Sequence, residues 1–270
     1  MDRQRSEVPV ALTVAGSDSG GGAGIQADLK TFAALGVHGA SAITCLTAQN
    51  PRVVTRMEPC SPRMLRAQIE AVFSELPPAA LKTGMLYSAS LVKEVAAVLR
   101  GWRRVPVVVD PVMIATSGAV LLPPAGVRAL CRELLPLAAV VTPNIPEAER
   151  LIGGRIRSLE DQRTAARQIS REFGCAALVK GGHDRGSAEA VDLLCAGQEE
   201  WMFSAPRVAL RGTHGTGCVY SAAITAFLAR GFPLARAVEL AKDHITQALA
   251  GARRVQGRAV LWNPTAPGNR

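Results

Sequence analysis

Short apolar or β-branched runs alternate along this chain with amphipathic stretches of helical period, and that alternation demands a largely parallel sheet flanked by helices. Val10 to Ala15 reads as the first strand, about Gly24 to Leu35 as a helix and Ala40 to Leu46 as a second strand. Further strands are expected at Val53 to Met57, Ala80 to Thr83, Val105 to Asp110, Val140 to Thr142 and Ala177 to Val179. Helical patterns separate most of them, at Pro62 to Glu75, Ser88 to Arg100, Pro124 to Leu135 and Ser158 to Phe173. Ser158 and Asp161 have the spacing of a capping box. Val191 to Cys195 and Trp201 to Ser204 read as a hairpin around Gly197, so the sheet is expected to end in antiparallel strands. Two helices follow, from about Thr216 to Arg230 and from Leu234 to Ala250.

With 270 residues, 48% of them hydrophobic, the chain buries one substantial core, and a single domain over 1–270 is expected with Asn263 to Arg270 as a loose tail. No apolar run reaches the roughly 18 residues of a membrane span, and Met1 to Arg5 leads into no signal-like stretch, so the expectation is a cytoplasmic protein. Cysteines 45, 60, 131, 175, 195 and 218 are scattered without a Cys-x-x-Cys pair, and most are read as reduced core residues. His38, His183, His214 and His244 are equally dispersed, which argues against a metal cage built from protein alone. The net charge of +9 invites an anionic partner. Its arginines lie along helical stretches without interleaved aromatics, so they are read as solvated faces and no nucleic-acid partner is expected.

The run from Ala15 to Gly24 holds five glycines between the first strand and the first helix, the mark either of a tight turn or of backbone closing on a small ligand. Gly22-x-Gly24-x-x-Ala27 satisfies a degenerate dinucleotide fingerprint, which makes a nicotinamide-dependent dehydrogenase the alternative from a different class. That fold wants an acid at the end of the second strand, where this chain has Leu46-Thr47-Ala48-Gln49-Asn50. Gln49 and Asn50 suit the edge of a heteroaromatic ring, or are polar loop residues. Asp28 either offers a carboxylate to a ring amine or is a first-turn acid favoured by the helix dipole.

Arg211 to Cys218, with Gly212, Gly215 and Gly217, enters an Ala-rich helix, and its free N–H groups make a phosphate cradle. No Gly-x-x-x-x-Gly-Lys-Ser/Thr occurs, which excludes P-loop chemistry. Cys218 at the helix start is expected to have a lowered thiol pKa and to take or share a proton, the alternative being a small buried residue. Asp110 at a strand end, Glu147 after Asn144-Ile145-Pro146, and Lys180 before Gly181-Gly182 would fit around a triphosphate. Glu147 could hold magnesium and Lys180 could neutralise phosphate charge. Singly, they are also a strand-end turn former, an N-terminal helix acid and a solvated lysine.

The run Ala15 to Asn50, Asp110-Pro111-Val112-Met113-Ile114-Ala115-Thr116-Ser117-Gly118, Thr142 to Ala148, Val179 to His183 and Gly215 to Cys218 together resemble the hydroxymethylpyrimidine/phosphomethylpyrimidine kinase family, over roughly residues 8 to 252. The resemblance implies a ribokinase-like three-layer α/β/α fold, Mg2+, ATP as phosphoryl donor, and two successive phosphorylations of 4-amino-5-hydroxymethyl-2-methylpyrimidine. It implies a pyrimidine pocket of Asp28, Gln49, Met85 and Val112 and an anion hole of Gly215, Thr216 and Gly217, beside which the types and positions of the residues themselves set Cys218 and Lys180 as catalytic and Asp110 with Glu147 at the metal. A homodimer is expected, and a pyridoxal or pyridoxine kinase is the alternative within the fold. The chain departs from the family at Val219-Tyr220, where Thr-Leu is usual, and at Val255 to Trp262, where a Gly-His-Gly-rich segment is common.

Overall fold

The computed structural model describes residues 7–115, 118–182, 188–208 and 214–263. A nine-stranded sheet carries the molecule, in the order β3-β2-β1-β4-β5-β6-β7-β8-β9. The strands are β1 Val10–Asp18, β2 His38–Gln49, β3 Val54–Pro59, β4 Ala80–Thr83, β5 Val107–Val109, β6 Val140–Val141, β7 Ala176–Lys180, β8 Glu189–Ala196 and β9 Glu199–Pro206. From β2 to β7 neighbours run parallel, while β3 at one edge and β8 and β9 at the other pair antiparallel.

Helices cover both faces, which is why the central strands are apolar at almost every position. On one face α1 (Gly24–Ala34), α7 (Thr216–Ala229) and α8 (Leu234–Ala250) pack against Ala11, Ala80, Val108, Val140 and Leu178. On the other, α2 (Pro62–Glu75), α3 (Ala89–Leu99), α4 (Pro124–Ala129), α5 (Ile145–Ile152) and α6 (Leu159–Phe173) cover Leu12, Leu81, Val109, Val141 and Val179. The two lists alternate residue by residue, as the period of two requires. Burying one Leu or Phe of this kind stabilises by about 1.5–3 kcal/mol, so sheet and helix faces hold each other in register.

Chain order reverses beside β1: β2 lies on one side of it and β4 on the other. At such a switch point the loops after neighbouring strands diverge and leave a crevice at the carboxyl ends. Most strands and helices lie where their patterns place them. The capping box of α6 is complete, with Asp161 N–H donating to Ser158 Oγ at 3.0 Å and Ser158 N–H to Asp161 Oδ2 at 3.1 Å. Val219 and Tyr220 are buried against the sheet.

Four expectations change. Both β1 and β2 run longer than their apolar cores because they pair through Asp18 and Thr47, so Gln49 ends a strand instead of sitting in a loop. The helix from Pro124 departs from α geometry at Leu130, in a widened turn before Pro136. Asn144 starts α5, a short helix not among the expected segments, in which Glu147 is the N-terminal helix acid of its alternative reading. The atypical closing segment forms a hairpin of β10 (Arg253–Val255) and β11 (Arg258–Val260), stacked through Arg253 on Trp262. Thr116, Ser117, His183 and Arg211 to Thr213 lie outside the described residues, as does the expected loose tail beyond Asn263. Among the described residues no helix is long and apolar enough to cross a membrane.

Candidate active site

A cavity of about 150 Å³ opens at the carboxyl ends of β1, β2 and β4 to β7, beneath the N-terminus of α7. Two glycine-rich segments close on each other above it. Gly215 caps α7 at φ +87°, and a Cβ there would collide with the carbonyl of Gly22. Gly24 opens α1 at φ +56°, where a Cβ would meet the carbonyl of Gly16. These approaches explain why both loops are built from glycine. They bring the N-terminus of α7 over the strand ends.

At the α7 end stand Asp110, Glu147 and Lys180. Lys180 Nζ lies 3.3 Å from Asp110 Oδ1, and Ser221 Oγ, one turn into α7, donates to Asp110 Oδ2 at 3.1 Å. Glu147 Oε2 accepts the Asn144 N–H at 2.9 Å while Asn144 caps Glu147 N–H in return, so Glu147 is both a helix acid and a cavity wall. Burial pushes the Glu147 carboxyl up to about 7; Lys180 opposes that and Asp110 adds to it. Lys180 is far from a solvated lysine, with 12% of its side chain exposed. Burial disfavours its charge, but Asp110 and Glu147 outweigh this and hold it above the usual range.

Cys218 lines the cavity floor beside Lys82. Its expected lowered pKa is not found: burial pushes the thiol up to about 11, and the attraction of Lys82 does not compensate, with Asp28 and Asp110 adding to the rise. The helix N-terminus is therefore outweighed by the cost of an unhydrated thiolate.

Asp28 does not border the cavity. It is fully buried, accepting from Lys82 Nζ and Thr13 Oγ1, each at 2.7 Å. Both oxygens are taken up by these donors, and Lys82, itself fully buried, stands between Asp28 and the site. Burial opposes the Lys82 charge too, yet Asp28, Cys218 and Asp110 draw its pKa above normal. Lys82 escaped the sequence reading, although a lysine within the apolar run Ala80 to Thr83 is itself a signal, since unpaired lysines are almost never fully buried.

At the other end Gln49, Met85 and Val112 line the cavity, Met85 and Val112 within a small apolar cluster with Cys45 and Leu121. Asn50 turns away, its Oδ1 accepting from the N–H groups of Arg52 and Val53 to close the turn into β3. Two residues not singled out from sequence complete the rim. His214 Nε2 lies 3.0 Å from Asp18 Oδ2 and 3.1 Å from the Gln49 amide. Asp18 also accepts from Gly20, Gly22 and Ala23 N–H, which ties the glycine-rich loop to the α7 entry.

Burial pushes the Asp18 carboxyl up, but the His214 contact and the Gly20 and Ala23 donors overcome it, and its pKa lies below the usual 3.8. Because the folded value is the lower one, Asp18 contributes its full stability above the unfolded value and loses it as pH falls through the folded value. The difference in urea stability between the parent and Asp18→Asn is expected to be at full size above about pH 4 and to shrink on further acidification. A difference that grew in acid would reverse this assignment.

The doubly covered, mostly parallel sheet, with a glycine-capped helix N-terminus over its switch point, is that of a ribokinase-like small-molecule kinase. Residues 18–261 match the family model of phosphomethylpyrimidine kinase. The chain is 52% identical over 252 residues to a hydroxymethylpyrimidine/phosphomethylpyrimidine kinase of Rhizobium meliloti, covering 92% of each. It is 50% identical over 238 residues, 88% of its own length, to a thiamine biosynthesis bifunctional protein of Geobacter sulfurreducens, of which it spans 48%. Among solved structures it resembles a phosphomethylpyrimidine kinase from Clostridium difficile (TM-score 0.79, 42% identity, 89% of this chain and 99% of that one). It also resembles the ADP complex of Bacillus subtilis pyridoxal kinase (TM-score 0.88, 34% identity, 96% and 98%). The chain belongs to the hydroxymethylpyrimidine/phosphomethylpyrimidine kinase family.

Proposed function

We propose that this chain transfers the γ-phosphoryl group of ATP to the hydroxymethyl oxygen of 4-amino-5-hydroxymethyl-2-methylpyrimidine, and then phosphorylates the monophosphate to the diphosphate. The observation that carries it is the two-ended cavity: amide and apolar groups at Gln49, Met85 and Val112, and the Gly215-Thr216-Gly217 helix entry over Lys180 and Asp110 at the other end. The names of the Rhizobium meliloti and Clostridium difficile relatives support the substrate.

Asp110 and Glu147 fit Mg2+. They are two buried carboxylates close enough to raise the Glu147 pKa. Among the described residues no third His, Cys, Asp or Glu joins them, as suits an ion that takes one or two carboxylates and completes its shell with water and phosphate oxygens. Bound there, the ion would neutralise phosphate charge. The protein's own part is positioning and charge. Gly215, Thr216 and Gly217 receive phosphate oxygens, and Lys180 attracts the equatorial charge of the group in flight. The γ-phosphorus bonds to the acceptor oxygen as its bond to the β-bridging oxygen breaks, and the hydroxyl proton passes to an oxygen of the transferred phosphoryl group as the new bond forms.

Cys218 lines the same cavity, where it would border the acceptor oxygen. A thiol pushed up to about 11 is protonated at neutral pH, so it is no ready base in the first transfer. It adds no charge when the acceptor of the second transfer is itself an anionic phosphate. Cys218→Asp is expected to slow the second transfer at least about tenfold more than the first, since two unit charges about 4 Å apart repel by about 4 kcal/mol at an effective dielectric of 20. Equal second-transfer rates in variant and parent would refute the repulsion.

The test of function is a coupled ATPase assay with the free pyrimidine, the mono- and diphosphate being separated by chromatography. Consumption of ATP only with another hydroxymethyl heterocycle would sink the substrate assignment and leave the kinase. Pyridoxal belongs in the same assay, because the overall shape matches the Bacillus subtilis pyridoxal kinase with the higher TM-score although the identity is lower. The assembly expected with this function is a homodimer, which light scattering would register as twice the 28.4 kDa of one chain.

A further inference from the structure

Asp18, Thr47, Gln49 and His214 meet at the cavity rim in a chain of contacts whose proton inventory has one solution. Thr47 Oγ1 lies 2.7 Å from the Ser17 carbonyl and 3.2 Å from Gln49 Oε1. A hydroxyl has one proton, and the carbonyl can only accept, so that proton belongs to Ser17. Toward Gln49, Thr47 must therefore accept. At the far end of the amide, Gln49 Nε2 is placed 3.1 Å from His214 Nε2, which also lies 3.0 Å from Asp18 Oδ2. The Asp18 carboxylate only accepts, so His214 Nε2 carries a proton and cannot receive an N–H from Gln49.

The orientation with Oε1 toward Thr47 thus fails at both ends, whereas a half-turn of the amide lets its NH2 donate to Thr47 and its carbonyl share the single His214 Nε2–H with Asp18 Oδ2. The two ends of a glutamine amide are assigned by their partners, and here the partners agree. Asp18 is itself fixed by three backbone N–H groups, and Gly22 leaves room for the imidazole, whose Cδ2 lies 3.0 Å from where a Cβ would stand.

We infer that His214, anchored by Asp18, is a positioning residue that clamps the Gln49 amide with its carbonyl toward His214 and its NH2 toward Thr47, so that Gln49 offers the substrate ring one fixed N–H and one fixed lone pair. The inference rests on the proposed function for the identity of the ring. A 4-aminopyrimidine edge presents an N–H beside a bare ring nitrogen, and the matching 4-pyrimidinone presents a carbonyl beside a ring N–H. A clamped amide fits one of these patterns. A freely turning amide fits either, and the discrimination that comes from unpaired buried groups is lost.

The experiment compares kcat/KM for 4-amino-5-hydroxymethyl-2-methylpyrimidine and its 4-oxo analogue in the parent, His214→Phe and Thr47→Val, and reads the His214 ring nitrogens by 15N NMR in the ligand-free parent. Phenylalanine keeps the ring against Gly22 and removes the N–H. The expected result is a protonated Nε2 and an amino-to-oxo preference that falls about tenfold or more in both variants. A defect of the α7 entry alone would lower both substrates by the same factor. An unchanged preference in both variants, or an unprotonated Nε2, overturns the clamp. Should the parent turn over neither pyrimidine, the proposed function fails, and the 15N result then decides the clamp by itself.

Discussion

Lys82→Met is expected to destabilise the protein by about 3–5 kcal/mol, the cost of breaking a buried ion pair by removing one partner. Lys82 Nζ and Asp28 Oδ1 stand 2.7 Å apart with no exposed side-chain surface on either. Without the ammonium, Asp28 keeps only the Thr13 hydroxyl and must either hold a charge away from water or take up a proton. Lys82→Met/Asp28→Leu is expected to regain most of the loss, because a buried pair replaced by apolar groups of similar volume is often neutral in stability. Urea denaturation of the parent and both variants measures this. A single variant that cost under about 1 kcal/mol would mean that Asp28 is not charged in the folded protein.

Lys180→Met is expected to reduce kcat about a thousandfold, the lower range seen when a cation that stabilises phosphoryl transfer is removed. Lys180 is the cation facing Asp110 at the α7 end, and a Cβ on Gly217 would lie 3.5 Å from its Nζ, so the ammonium sits directly under the proposed anion hole. The charge it opposes spreads over the equatorial oxygens as the phosphoryl group moves. KM for the pyrimidine is expected to change less than about threefold, since an interaction made only in the transition state lowers kcat and leaves substrate binding in place. Steady-state kinetics at saturating ATP would show this. A loss below about tenfold in kcat would place the phosphate charge elsewhere, with Lys180 serving only to balance Asp110 and Glu147.

The elements were legible wherever the cause is local. The period of two in the central strands, the Ser158 to Asp161 capping box and the glycines at Gly24 and Gly215 act within a few residues of themselves. The short α5 was legible only at its start, in the alternative that Glu147 is an N-terminal helix acid, because eight residues carry too little periodicity to mark a helix by themselves. The lengths of β1 and β2 depended on pairing between strands far apart in sequence, which carries the ladder past their apolar runs.

The site divided along the same line. Sequence alone determined that a glycine-rich strand-to-helix turn and a Gly-Thr-Gly-Cys helix entry would both be available for a ligand, because backbone conformation and free N–H groups follow from residue type. Tertiary structure decided which side chains share the cavity and in what state. Asp28 was turned inward to Lys82 across 54 positions, and His214 reached Asp18 across 196. The Cys218 thiol was raised instead of lowered. Each of these depends on desolvation and on charges brought together by folding, and no local pattern encodes them. What persists from the first apolar run to the last is the alternation of strand and helix, which brings the cavity-lining groups together at the carboxyl ends of the parallel strands.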